Sequence, residues 1–465
     1  MSDSLLIRDC IAVSPWDRTE CSILAEDGKI TAILPPKDKP QADTTIEAQG
    51  RFVIPGGIDT HVHLGIGEQS FAEDCFTESR SAVSGGITSF IHYLVNPGPQ
   101  GSYLEVYEDY VEGVRSKSLV DVAFHLRVMT EQHLEEIPRC VEEAHITSFK
   151  FNRSDLVLPP GAKGYSGAGD DLLLEGLRAV GDHEGCVSVV HCENVEIIQR
   201  GMKTAREAGG QDLVDWSDSR PPYAEAESVQ SALYWAIMTE APLLVAHMSV
   251  GEGVHLLREK QSEYGFLFGE TCPQYLMLDK SMPLGSLGKC APPIRTPADS
   301  EELWQGLIDG TIDCVGSDHC TYTAAYKGAE MWSAHMGLPG MGIIIPILLS
   351  AGVNERGLRL ERLVAVTSFN AARYFGFYPQ KGSIQVGADA DLVVLDLERE
   401  VTITPETLNS VVDYTPYEGY ECRGWPLITI VAGNVVAEAG QVVDETPRGR
   451  YLKHLRFSDS NEVTQ

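Results

Sequence analysis

No C-x-x-C pair occurs in this sequence: its eleven cysteines stand singly between Cys10 and Cys422. An odd number scattered in this way is poor material for a disulfide framework or a structural zinc knuckle, and it suits a reducing cytoplasm. The opening MSDSLLIRDCIAV lacks a basic leader followed by a long apolar run, so no signal peptide is expected. No stretch approaches ~18 uninterrupted apolar residues, so no membrane-spanning helix is expected either. Basic residues are scarce, 36 Lys+Arg against 67 Asp+Glu, for a formal net charge of -31. That balance argues against nucleic acid or an anionic membrane as the main partner and leaves a small molecule as the natural one. It does not exclude a locally positive pocket, which a cluster of metal ions would create. Internal repeats and low-complexity tracts are also missing.

What is present is ordinary globular material. Of 465 residues, 43% are hydrophobic and 22% charged, which excludes wholesale disorder. Residues 4–54 read as short strands rich in β-branched residues and broken by Asp-Gly, Pro-Pro and Ala-Gln-Gly turns. From Gly56 short apolar runs alternate with longer helical segments. The runs are GIDTHVHL, GITSFIHYL, DVAFHLRV, ITSFKF, CVSVVH, PLLVAHM, YGFLFGET and IDCVGSDH. Eight such runs predict an α/β fold, a parallel (β/α)8 TIM-type barrel. After about residue 380 short strands return, so both chain ends are expected to pair into one small β-sandwich domain. The expected organisation is a composite β-sandwich from 1–54 plus 381–445, a barrel over 55–380, and a polar tail over 446–465. That tail would reach a neighbouring subunit or hang loose. The Gly- and Pro-rich segment 154–171 lacks the G-K-[ST] ending of a phosphate loop and reads as a lid.

In such barrels the chemistry sits at the carboxyl ends of the strands. There the runs place His61 and His63 on strand one, Lys150 at the end of strand four, His191 on strand five, His247 on strand six and Asp318 on strand eight. His61 and His63 are two apart, so on an extended strand their side chains share a face. Alone, an H-x-H pair reads more readily as the polar face of a half-exposed strand than as a metal site. Together the four histidines and the aspartate exceed the three protein ligands of a mononuclear catalytic zinc and point to two metals. Lys150 reads two ways. As an ammonium it would snorkel to solvent or pair with an acid; as a carbamate it would bridge two dications.

The ordered strings PGGIDTHVHL, SFKF, VVHCEN, VAHMS, GETCPQYL, APPIRT, GSDHC and VGADADLVVLD, followed by VDYTPYEG, resemble the amidohydrolase superfamily. Within it they resemble the dihydropyrimidinase/hydantoinase family of cyclic amidases, over about residues 4–445. The resemblance implies a barrel with two divalent metals, zinc first and manganese or cobalt as alternatives. His61, His63 and Asp318 would hold the more buried ion and His191 and His247 the second. Lys150, as N6-carboxylysine formed with carbon dioxide, would bridge them. It also implies a homo-oligomer, a tetramer or a dimer. The implied reaction opens a cyclic amide, imide or ureide by attack of a metal-bridging hydroxide on the ring carbonyl, with Asp318 carrying the proton to the leaving nitrogen.

Substrate-facing positions depart from the family pattern. A tyrosine usually found five residues after the bridging lysine is Asp155 here. The serine before Pro-Pro-hydrophobic-Arg is Ala291, and the asparagine before Gly-x-Pro-Gly is Met336, next to Gly337. An ionised Asp155 would repel a developing oxyanion unless turned away or neutralised. Arg153 is the near candidate for that, and Arg153 or Asn152 for a replacement donor. Met336 makes the pocket more apolar, which suits a bulkier substituent than a bare polar ring carries. A shifted alignment around 152–165 would explain the same departures. Competing readings are a hydrolase of a non-ring amide or carbamate with the same metals, and a non-catalytic scaffold of dihydropyrimidinase type.

Overall fold

A computed structural model describes residues 4–38, 40–95, 101–155 and 167–454. Most of the segment read as a lid, 156–166, lies outside the described residues, as does the end of the tail, 455–465. Among the described residues no helix is long and apolar enough to cross a membrane.

The first five strands are β1 (Ser4–Val13), β2 (Arg18–Glu26), β3 (Lys29–Leu34), β4 (Thr44–Glu47) and β5 (Phe52–Pro55). Asp27 and Gly28 both take positive φ between β2 and β3, the two-residue hairpin geometry that Asp-Gly favours. The chain then crosses into the barrel at Gly56, where a Cβ would sit 2.0 Å from Thr88 Oγ1. Only glycine fits that crossing.

The barrel strands are β6 (Gly57–His63), β7 (Ile87–Tyr93), β8 (Asp121–Arg127), β9 (Ser148–Asn152), β10 (Val187–His191), β11 (Leu243–Val245), β12 (Leu267–Thr271) and β13 (Cys314–Val315). They pair in sequence order, all parallel. The eighth strand breaks at 316–318 and resumes as β14 (His319–Cys320), which pairs with β6 and closes the ring. These strands are almost wholly buried, as strands sandwiched between a barrel interior and an outer helical layer must be. The main intervening helices are α1 (Phe71–Ser84), α2 (Tyr107–Lys117), α3 (Glu131–Glu143), α4 (Asp170–Gly181), α5 (Val195–Glu207), α6 (Leu213–Asp218), α7 (Pro222–Thr239) and α8 (Gly251–Gln261). A capping box between Ser70 and Glu73 starts α1. In α4, Leu173, Leu177 and Val180 fall at i, i+4 and i+7 and are fully buried, so one stripe packs on the sheet.

The returning strands β15 (Leu392–Thr402), β16 (Glu421–Val431), β17 (Asn434–Glu438) and β18 (Gln441–Val442) join the first five through the antiparallel β15–β5 pair. Leu5, Ile7, Ile23, Val53, Leu392 and Ile430 share their core, so both chain ends build one small β-unit. An ion network ties it to the barrel. Buried Lys381 pairs with Asp121 of β8 (2.6 Å), Asp389 (3.0 Å) and Asp391. Arg450 reaches Asp121 and Asp389 from the other side. The three carboxylates are geometrically close enough for a cation, but Lys381 and Arg450 already supply the compensating charge.

The start of the tail is not loose but docks on the chain's own barrel. Val122 N donates to Arg450 O and Leu452 N to Val122 O, while Tyr451 Oη donates to Ala144 O at 2.7 Å. Leu452 is buried. An otherwise polar segment is thus held by backbone bonds at residues 448, 449, 450 and 452, a buried leucine and the Arg450 side chain, a combination its overall composition conceals.

Candidate active site

Six side chains spread over 258 residues of sequence meet at one end of the barrel. His61 and His63 on β6 lie with ring centroids 5.3 Å apart. Asp318 Oδ1 stands 3.4 Å from His61 Nε2 and 3.2 Å from His63 Nε2. Lys150 lies in the middle of β9, not at its end, and its Nζ is 3.4 Å from His247 Nε2. The His191 ring, closing β10, is 4.4 Å from that of His247.

Two of the six are displaced from regular strand. His247 falls two residues beyond β11 with φ 38°, and Asp318 falls in the break of the eighth strand with φ 51°. Left-handed backbone is uncommon for residues other than glycine and gathers at functional sites.

Burial sets the charge states. It pushes His61 and His247 well below the usual imidazole range, with Lys150 adding to the effect on both. His191 is also lowered by burial, against the opposing pull of Glu193. Neutral imidazole is the form that ligates metal. Burial likewise lowers Lys150, against the raising effect of Glu270 and Asp318. A depressed lysine reaches the neutral amine more readily.

The residues around this cluster were not singled out by sequence pattern. Glu270, fully buried near the end of β12, lies 2.7 Å from His61 Nδ1 and accepts from His247 N (3.1 Å) and Thr60 Oγ1. With the Nδ1 proton of His61 directed to Glu270, Nε2 keeps its lone pair on the Asp318 side. Asp59 accepts from His61 N (3.1 Å) and Ser317 N (2.9 Å), fastening β6 to the break before Asp318. Tyr93 stacks on His63 with ring centroids 4.9 Å apart. Glu193 pairs with His191 Nε2 (2.8 Å) and Arg220 Nε (2.9 Å). Burial alone would raise Glu193, but Arg220 and His191 hold it at about 2. The available signal was a carboxylate ending an apolar run, as in FLFGET, where burial demands a partner.

Because Glu270 touches two of the imidazole-bearing residues at once, Glu270→Gln is expected to weaken metal retention or turnover by about 10–100-fold. Dialysis against a graded chelator series, with metal content and activity read together, checks it. Parent-like retention and turnover would show that Glu270 orients nothing.

Above the six lies a cavity of about 860 Å³. Asn152, Asp155, Ala291, Met336 and Gly337 all line it, while Arg153 does not. The Arg153 guanidinium donates instead to Asp170 (2.6 Å) and Ser228 O (3.4 Å). Asp155 is neutralised by Arg127, at the end of β8. Parallel pairing explains the partner: Arg127 lies opposite Lys150 in register, so position 127 is near the site although 28 residues away in sequence. Asn152 spends its side-chain oxygen on Ser154 N (2.8 Å) and Oγ (2.7 Å). Gly337 has φ 135°, and a Cβ there would sit 2.3 Å from Cys320 Sγ.

Comparison with known proteins gives the family of the chain. The amidohydrolase family model matches residues 52–436. The chain is 34% identical to the L-hydantoinase of Paenarthrobacter aurescens, covering 98% of this chain and 99% of the other. It is 34% identical to the D-hydantoinase of Geobacillus stearothermophilus, covering 97% of each. Among solved structures it is similar to the dihydropyrimidinase of Brevibacillus agri, with TM-score 0.90 and 31% identity over 98% of this chain and 99% of that one.

Proposed function

The chain belongs to the amidohydrolase family, among the hydantoinases and dihydropyrimidinases, and from that premise we propose that it opens a cyclic amide, imide or ureide using two divalent metal ions. The observation that carries this reading is the convergence of His61, His63, Lys150, His191, His247 and Asp318 beneath one large cavity. The residues fit such ions. His61, His63 and Asp318 offer ligand atoms within 4.8 Å of one another. The donor set of buried imidazoles, a carboxylate and a lysine amine is one that divalent zinc, manganese or cobalt accepts. His61, His63 and Asp318 would hold one ion and His191 and His247 the other, with Lys150 bridging as its carbamate. Bound there, divalent ions polarise a carbonyl and acidify water.

The rest is the work of the chain. Asp318, on the cavity lining, takes a proton on a carboxylate oxygen from the water that attacks the ring carbonyl and delivers it to the ring nitrogen as the carbon–nitrogen bond breaks; without it the nitrogen would depart as a strongly basic amide anion. Glu270 and Asp59 fix the rings and backbone that face it. Arg127 removes the repulsion that a bare Asp155 would exert on a developing oxyanion, in place of the neutral donor that a tyrosine would supply. Met336, half exposed on the cavity wall, replaces a polar side chain with an apolar one. The same reading makes the protein a homo-oligomer, tetramer or dimer, acting in a reducing cytoplasm; its eleven cysteines are all free and buried, which supports the last point.

Weak activity on dihydrouracil and higher kcat/KM on bulkier hydantoins or cyclic imides are therefore expected. Side-by-side kcat/KM values for dihydrouracil and a panel of 5-substituted rings check this. Dihydrouracil proving the best substrate would mean that Asp155, Ala291 and Met336 do not reshape the pocket.

A further inference from the structure

Given ring hydrolysis as proposed above, on which this inference rests, the geometry points to Lys289 and Arg206 as a subsite for a carboxylate carried on the ring substituent. The chain as a whole is strongly acidic, with a formal net charge of -31, yet the cavity lining carries cations without counter-ions among the described residues. Four cationic residues other than Lys150 line it, Arg127, Arg206, Arg220 and Lys289. Arg127 is matched by Asp155 and Arg220 by Glu193. Asp318, the other acid on the lining, belongs to the histidine cluster. Arg206 and Lys289 are left, and among the described residues neither forms an ion pair.

Lys289 is 3% exposed. Its Nζ donates to Ala334 O (2.7 Å) and Trp332 O (3.3 Å) and lies 4.4 Å from the centroid of the Trp216 ring. An ammonium has three protons, and two are accounted for. Behind it Lys327, fully buried, donates to Lys289 O at 2.8 Å and to Gly337 O, again with carbonyls alone. Burial pushes each of these lysines down to about 8. Two buried ammonium groups without an anion are costly, and a bound carboxylate would relieve that cost. Arg206, near the end of α5, lies with its guanidinium 5.0 Å over the Trp332 ring, and that guanidinium hydrogen-bonds to no described residue. Its planar fork is free for bidentate contact with a carboxylate. The Trp216 and Trp332 rings, 6.0 Å apart, bring the two cations to one region of the cavity. A cavity of about 860 Å³ is also at the size of drug-like ligand sites, which leaves room for a substituent beyond the ring itself.

The test uses the metal-loaded full chain and two hydantoins that differ only at the tip of the 5-substituent, 2-carboxyethyl against 2-carbamoylethyl. The parent is expected to favour the carboxylate by at least tenfold in kcat/KM. In Lys289→Met and in Arg206→Gln, the ratio of carboxylate to carboxamide should fall by about ten- to hundredfold, the usual worth of a hydrogen bond to a charged group. The loss should fall on KM rather than kcat. Arg206→Gln changes an exposed side chain and remains informative if Lys289→Met fails to fold. Opening of both rings with no preference for the carboxylate, or equal loss on both rings in the variants, overturns the subsite while leaving ring hydrolysis standing. Failure to open either ring, or any plain hydantoin, overturns ring hydrolysis and the subsite with it.

Discussion

Lys150→Ala is expected to lose both metals together with most of its activity. Lys150 sits in the interior of β9, 5% exposed, with His247 Nε2 at 3.4 Å and Glu270 and Asp318 near enough to raise its pKa against burial. An ammonium in that position would face two dications directly. The proposed carbamate would remove that repulsion and supply the anionic bridge, and alanine would remove the bridge altogether. Loss of an outer-shell partner already costs about 10–100-fold, so loss of the bridge should exceed that. Short carboxylic acids, small enough to occupy the vacated space and able to offer two oxygens, are expected to restore part of the activity. Metal content and turnover of the variant, with and without added formate or acetate, check the expectation. A variant that kept two metals and near-parent turnover would remove Lys150 from the bridge.

Asp318→Asn should separate proton transfer from folding. Asparagine is among the few residues that tolerate left-handed backbone, so the φ of 51° at this position is not a reason for the variant to unfold. Its side-chain oxygen can still approach the position that Asp318 Oδ1 holds, 3.2 Å from His63 and 3.4 Å from His61. What it cannot do is take up and release a proton near neutral pH. Turnover is expected to fall by roughly 10²–10⁴, with thermal unfolding and much of the metal retained. Full turnover with full metal occupancy would assign the proton to another group.

The barrel and the residues that gather at its mouth were legible because both are written in local pattern. Apolar runs alternating with helical segments marked the strands, and a polar residue closing an apolar run marked His61, His63, His191, His247 and Asp318. Long-range pairing was not legible. Arg153 stands two residues from Asp155 in sequence, but Arg127 stands next to it in space, because parallel strands place β8 beside β9. Glu270 was hidden for a related reason: its partners Thr60 and His61 come from β6 and His247 from the segment just after β11, and only closure of the barrel brings them to it. The backbone turns at His247 and Asp318, and the docking of residues 448–454 through Arg450 and Leu452, also depend on tertiary contacts that no run of residue types records.

The most direct measurement is a titration of divalent metal into metal-free protein while ring opening of a 5-substituted hydantoin is followed. The account predicts no turnover without metal, and activity that rises to a plateau at two ions per chain. Ring opening undiminished in the metal-free protein, or none with two ions bound per chain, would contradict it.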